Sequence, residues 1–155
     1  TFQADFNLPD RLEAEYIGED GAKHKPVMMH RAILGSFERF IGILIENYSG
    51  KLPLWLAPVQ LSILTVTEEV NDYALSLKQK FEEINLRVEL DNRNEKIGYK
   101  IREHSNAKVP LMAVIGKDEM SAETISIRNL SKNATNTYPI KEAVSLLKKE
   151  SEPPK

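Results

Sequence analysis

Leu61-Ser62-Ile63-Leu64-Thr65-Val66-Thr67-Glu68-Glu69-Val70 is the stretch that decides the fold. Leu61–Val66 is rich in branched apolar side chains and too short for an ordinary helix, so it reads as a buried strand. Thr67 then offers a hydroxyl to unpaired backbone N–H groups, and Glu68 and Glu69 put negative charge where a helix begins. Val70, Tyr73, Ala74, Leu77, Phe81 and Ile84 follow at helical spacing and predict an amphipathic helix. Further on, Arg87–Asp91 alternates as a strand, Asn92-Arg93-Asn94 is a turn, and Lys96–Asn106 is a second amphipathic helix built on Ile97 and Ile101. Leu111–Ile115 is a continuous apolar strand ending at Gly116, Thr124–Ile127 is another, and Ile140–Glu150 is a last helix with Ala143, Val144 and Leu147 inward. Strands alternating with helices predict βαβ units with right-handed crossovers and a mostly parallel sheet. The last two strands lie too close in sequence for a crossover helix, so they should pair antiparallel. The expectation for 61–150 is α/β: a mixed β-sheet flanked by three helices.

Upstream the pattern is less regular. Residues 2–8 alternate weakly as a strand, Ile17–Gly21 is a turn, and Pro26–Ile33 is an apolar strand interrupted by His30 and Arg31. Leu34-Gly35-Ser36 breaks that strand. Phe37, Phe40, Ile41, Leu44 and Tyr48 then form one helical stripe, with Ser36 as its N-cap and Ser49-Gly50 as its stop. Leu52–Gln60 carries two prolines and the only Trp and reads as an extended connector. The expected organisation is therefore 1–50 as the incomplete end of one domain, 51–60 as linker, 61–150 as a second domain and 151–155 as a polar tail. The start, Thr1–Phe6, has neither Met nor a signal-peptide pattern and is expected to be an excision boundary.

Composition narrows the function classes. The 155-residue chain is 41% hydrophobic and 28% charged, which is globular rather than disordered. Its net charge of −2 excludes a global basic excess, so any nucleic-acid surface must be local. Between Arg87 and Lys108 the bases Arg87, Arg93, Lys96, Lys100, Arg102 and Lys108 outnumber Glu89, Asp91, Glu95 and Glu103. That excess is small, and on charge alone Lys100, Arg102 and Lys108 read as an ordinary solvated helix face. No run approaches the roughly 20 apolar residues of a membrane span. The absence of cysteine excludes a disulfide framework and fits a reducing, cytoplasmic setting.

Chemistry is first legible at His30–Arg39. A strand runs into Gly35-Ser36 and then into a helix with Arg39 in its first turn. Glycine lets a ligand approach the backbone, a helix N-terminus favours anions, and a guanidinium pairs with phosphate or stacks on a base. The same pattern is commonly no more than a helix cap.

The actual strings go further. HRAILGSFERFIGILIE (residues 30–46) resembles motif 3 of the class II aminoacyl-tRNA synthetases, in the form of the threonyl-tRNA synthetase family. LPLWLAP (52–58) is similar to that family's linker, and LDNRNEKIGYKIREH (90–104) resembles its anticodon-domain signature. The resemblance implies a C-terminal portion: the last strands and motif 3 helix of the antiparallel-sheet catalytic domain, then an anticodon-binding domain. It implies that Arg39 acts on ATP as the catalytic arginine, that Gly35 lies at the same site, and that Thr1, Gln3, Ala32 and Ser36 line the threonine pocket. His30 matches one ligand of a zinc ion that reads the threonine amino and hydroxyl groups. The family's remaining ligands include a cysteine, absent here, so His30 is expected to be stranded and the chain alone inactive. Asn94, Lys96, Glu119 and Arg128 match residues that read anticodon bases in single-stranded loops. The implied partners are threonine tRNA, threonine and ATP with magnesium, in a homodimeric parent enzyme and away from membranes. Asn129–Asn136 departs from the family's more basic pattern and retains only Lys132, which puts phosphate contacts there in doubt. Two other readings compete: an accessory nucleic-acid-binding module with a relict catalytic stub, and a prolyl or glycyl relative.

Overall fold

A computed structural model of the chain describes residues 1–154 and divides into two compact units, Thr1–Ile43 and Leu44–Lys155. The first unit contains β1 (Phe2–Asp5), α1 (Asn7–Arg11), β2 (Tyr16–Ile17), β3 (Lys23–His24) and β4 (Met28–Arg31). Helix α2 (Phe37–Asn47) begins in it. The strand expected over 2–8 stops at Asp5, because the Asp5 carboxylate accepts the amides of Asn7 and Leu8, both at 2.9 Å, and starts α1. β1 and β4 pair antiparallel, and β2 and β3 close a short hairpin around the expected turn.

This unit has no core. Pro9 is the only buried residue among 1–43, while Phe2, Ile33 and Phe37 are 65%, 77% and 75% exposed. A two-stranded ribbon has nothing to bury its faces against and is marginal by itself.

The second unit is a five-stranded sheet with strand order β6-β5-β7-β8-β9. Its elements are β5 (Leu61–Thr65), α3 (Asn71–Glu82), β6 (Val88–Asp91), α4 (Ile97–Asn106), β7 (Leu111–Ile115), α5 (Lys117–Ala122), β8 (Thr124–Asn129), β9 (Ala134–Pro139) and α6 (Ile140–Glu150). β5 pairs parallel with both β6 and β7, and β7–β8 and β8–β9 are antiparallel. The crossovers β5–α3–β6 and β6–α4–β7 travel in opposite directions across the sheet. Right-handedness therefore sends α3 and α4 to opposite faces. One face is the apolar core: Leu61, Ile63, Leu111, Ala113, Ile125 and Ile127 pack with Ala74, Leu77 and Phe81 of α3 and with Ala143 and Leu147 of α6. On the other face α4 bonds the sheet through Ser62–His104 (3.1 Å) and Ser105–Met112 (3.7 Å).

Four expectations are corrected here. α5 is a fourth, short helix where three were expected; Glu119 reaches back to the amide of Gly116 at 2.9 Å and holds its first turn. β9 is an unexpected fifth strand of the sheet, and it takes in the end of the Asn129–Asn136 segment. Thr67 makes no side-chain cap; a 3-10 turn, Glu68–Val70, precedes α3 instead. The connector before β5 is not extended but turns at Pro53–Ala57. Arg87 secures it, donating to the carbonyls of Trp55 (3.0 Å), Ala57 (2.7 Å) and Pro58 (3.1 Å).

Buried polar groups close the C-terminal end of the parallel strands. Lys100 is buried, not a solvated helix residue as expected. Its ammonium donates to the carbonyls of Thr65 (2.9 Å) and Asp91 (3.1 Å), and burial pushes its pKa down. Asp91 accepts a two-pronged bond from Arg93, at 2.9 and 2.7 Å, and faces His104 Nε2 at 3.1 Å. Chiefly the Arg93 bonds, then His104, hold the Asp91 carboxyl well below the usual carboxylate range, against the opposing effect of burial.

A carboxylate depressed in the folded state stabilises fully above its unfolded value and loses that contribution as pH falls through its folded value. Asp91→Asn should cost about 1–3 kcal/mol at neutral pH, a charged hydrogen-bond loss. Urea midpoints of the two proteins should converge as pH falls below the ordinary aspartate value of 3.8. A gap that stays constant well below that pH would contradict the assignment. In the 155-residue chain, hydrogen exchange should separate the units: amides of β5 and β7 protected, those of β1 and β4 exchanging at least about a hundredfold faster.

Candidate functional site

Of the expected RNA-binding residues, Arg128 and Glu119 share the sheet face on which α4 lies, and Asn94 and Lys96 stand on the loop before α4. Register pairs Arg128 with Met112 and Ser126 with Val114 on β7, and with Thr135 and Thr137 on β9. Directly paired residues share a face, so Ser126, Arg128, Thr135 and Thr137 lie on the side of Met112, which Ser105 of α4 bonds. Asn94 and Lys96 are exposed on the loop Asn92–Lys96 that leads into α4.

Glu119 joins this face through Ser126, whose hydroxyl donates to Glu119 Oε1 at 2.9 Å and meets Thr137 Oγ1 at 2.9 Å. Its other oxygen takes the Gly116 amide, so Glu119 is a fixed acceptor and not a free loop carboxylate. Tyr73, on α3, donates to the carbonyls of Glu119 and Thr124, both at 3.4 Å, and so pins both ends of α5. Burial, then the Glu123 and Glu119 charges, push the Tyr73 phenol up and keep it a donor. Arg128 is half-buried and donates to Asn133 at 3.1 Å. The loop after β8 is shaped by Asn129, whose side chain accepts the amides of Ser131 and Lys132 at 3.0 Å each. Sequence reasoning missed Ser126, Thr135 and Thr137. The alternation Thr135-Asn136-Thr137-Tyr138, with Tyr138 against the core, carried that signal.

The basic cluster divides by role. Arg87 serves the linker carbonyls, Arg93 is paired with Asp91 and Glu103, and Lys100 is internal. Lys96, Arg102 and Lys108 are exposed and make no ion pair among the described residues.

In the first unit, register places Gln3 opposite His30, and the Ala32 amide bonds the Thr1 carbonyl at 3.1 Å. Alternation then puts Thr1, Gln3, Asp5, His30 and Ala32 on one face of the ribbon. Gly35 has φ +74°, a left-handed conformation that favours glycine. Ser36 accepts the Arg39 amide at 3.3 Å, the expected N-cap, and Arg39 stands exposed in the first turn of α2. His30 Nε2 lies 3.1 Å from Asp5 Oδ2. The Leu8 amide first, then the His30 side chain, hold the Asp5 carboxyl below its ordinary value. A carboxylate orienting a histidine is the usual support of a zinc ligand. The donor set nevertheless does not fit zinc: among the described residues no three His, Cys, Asp or Glu side chains are grouped to hold a metal.

Comparison with known proteins agrees with this geometry. Residues 60–150 match the family of anticodon binding domains, and residues 1–48 match the class II tRNA synthetase core domain (G, H, P, S and T). Threonine–tRNA ligase of Paracoccus denitrificans is 54% identical over 154 residues, covering 99% of this chain and 24% of that protein. The Ehrlichia chaffeensis threonine–tRNA ligase is 60% identical over 147 residues, covering 95% of this chain and 23% of that protein. The chain thus spans about a quarter of the length of the curated relatives it matches. The crystal structure of the RNA binding domain of threonyl-tRNA synthetase from Cryptosporidium parvum superimposes with a TM-score of 0.75 at 30% identity, covering 99% of this chain and 39% of that one. With residues 60–150 making up more than half of it, this chain belongs to the anticodon binding domain family, joined here to a segment of class II synthetase core.

Proposed function

We propose that the chain is part of a threonine–tRNA ligase, which activates threonine with ATP and transfers it to threonine tRNA, and that residues 61–150 read the anticodon. The observation that carries this reading is the open sheet face on which a fixed carboxylate, Glu119, and a guanidinium, Arg128, lie beside hydroxyls, together with the exposed Asn94 and Lys96 on the loop before α4. That set suits single-stranded RNA. Asn94 bonds a base edge through both amide atoms, Glu119 accepts from a base amino or imino group, and Lys96 and Arg128 hold phosphate or a guanine edge.

In this reading residues 1–50 contribute one wall of the aminoacylation site, 51–60 link it to the RNA module, and 151–155 are a tail. Arg39 pairs with ATP and offsets charge on the reacting phosphates, an electrostatic role without proton transfer. Gly35 admits the nucleotide to the backbone, and Thr1, Gln3, Ala32 and Ser36 face the threonine. Magnesium accompanies the ATP phosphates. His30 is a single imidazole toward any zinc ion, and no step is assigned to a metal here. The enzyme as a whole is proposed to be a cytoplasmic homodimer. No helix of the described residues is long and apolar enough to cross a membrane.

Titration of the chain with an anticodon stem-loop of threonine tRNA tests the reading. Binding should weaken steadily as salt rises, and Asn94→Ala or Arg128→Ala should each cost about 1–3 kcal/mol. Equal affinity for stem-loops altered at the second and third anticodon bases would remove the recognition claim.

A further inference from the structure

Within the Asn92–Lys96 loop the side chains divide sharply. Asn92, Asn94, Glu95 and Lys96 are exposed and make no side-chain hydrogen bond among the described residues. Arg93 alone is gripped. Its amide donates to Asp91 Oδ1 at 3.2 Å, and its guanidinium donates to Oδ1 at 2.9 Å and Oδ2 at 2.7 Å. It also donates to Glu103 Oε2 at 2.7 Å. One side chain therefore ties the loop to the end of β6 and to α4. The Asp91 anchor is itself immobile: its side chain is 4% exposed and is braced by His104, which meets Ser62 of β5 at 3.1 Å.

We propose that Arg93 is a positioning residue, a splint that holds the loop in the conformation presenting Asn94 and Lys96 to unpaired bases, and that it does not itself grip phosphate. The proposal rests on the anticodon-reading function above. Its electrostatic ground is direct: a guanidinium paired with two carboxylates has its charge engaged locally and has little attraction left for a phosphate. Its geometric ground is the planar fork, which matches a carboxylate through two parallel bonds and which a lysine ammonium does not reproduce. In a sequence rich in bases, Arg93 is the one whose positive charge misleads. It sits beside the RNA-reading residues yet points its charge inward.

The test uses the 155-residue chain with Arg93→Lys, Arg93→Ala and Asn94→Ala. Each is titrated over a range of salt with the threonine stem-loop and with stem-loops altered at the second and third anticodon bases. Arg93 is half exposed, 50% by side chain, so both substitutions are compatible with folding. As a splint, Arg93→Lys and Arg93→Ala both lose about fivefold or more in discrimination, and the slope of log affinity against log salt stays that of the parent. Parent-like discrimination in Arg93→Lys overturns the proposal. So does a fall of about one in that slope for Arg93→Ala with uniform loss on all stem-loops, the signature of a phosphate contact. Asn94→Ala without effect marks failure of the underlying recognition reading and removes the proposal with it. A readout without RNA separates the two: the Glu95 amide, bonded to the Arg93 carbonyl at 2.9 Å, should exchange faster in both Arg93 variants. Unchanged exchange there overturns the splint even if Asn94 reads a base.

Discussion

β5 is buried along its whole length, and everything in the larger unit is arranged to satisfy that. A strand without solvent on either face needs partners on both edges and a helix over each face. Its parallel neighbours β6 and β7 supply the edges. The right-handed crossovers that reach them place α3 on one face and α4 on the other. α6 shares the first face with α3, so the core is complete there. α4 is single, and with one helix to cover a five-stranded face, the β8–β9 half stays open. The open face is thus a consequence of how the central strand is buried.

The α4 face is also where polar groups go inside, and this sets the electrostatics of the surface. Lys100 caps the carbonyl ends of β5 and β6, and Asp91 gathers Arg93 and His104. Burying a charge is costly unless it is paired and hydrogen-bonded. Here each buried charge meets a carbonyl or an opposite charge, so the network is satisfied. The consequence is that Arg87, Arg93 and Lys100 contribute little outward field. Lys96, Arg102, Lys108 and Arg128 keep their charge toward the surface, and the overall charge of −2 is no obstacle to a local basic patch of that size.

How much of this was legible in the sequence follows from which physical signals are local. β5, α3, β7 and α6 announce themselves by periodicity, because burial on one or both faces is written directly into side-chain type. The parallel and antiparallel pairings followed from spacing alone. β9 was not legible as a strand because its outward residues, Thr135 and Thr137, and its edge position make it polar. α5 was too short to carry a helical period. Charge roles were legible least. Lys100 and Arg102 look alike along the chain, and only the helical phase against β5 buries the first and exposes the second. The motif resemblance located Asn94, Lys96, Glu119 and Arg128, but nothing local predicted that Glu119 would be fixed by Ser126 and Gly116.

The smaller unit poses the opposite problem, since its geometry is defined without a core. Strand register is strongly specified only where one face is buried, and a slip of one residue exchanges the two faces. In the β1–β4 ribbon such a slip would turn Thr1 and Gln3 of one strand away from His30 and Ala32 of the other. Burial cannot prevent it, because both faces are exposed. What fixes the register is polar and local. Asp5 commits one oxygen to the amides that start α1 and the other to His30 across the ribbon. A β1 residue anchored at a helix start cannot slide, and His30 is held to it. Asp5 therefore sets the alignment of the expected threonine-facing residues through a contact that needs no hydrophobic support.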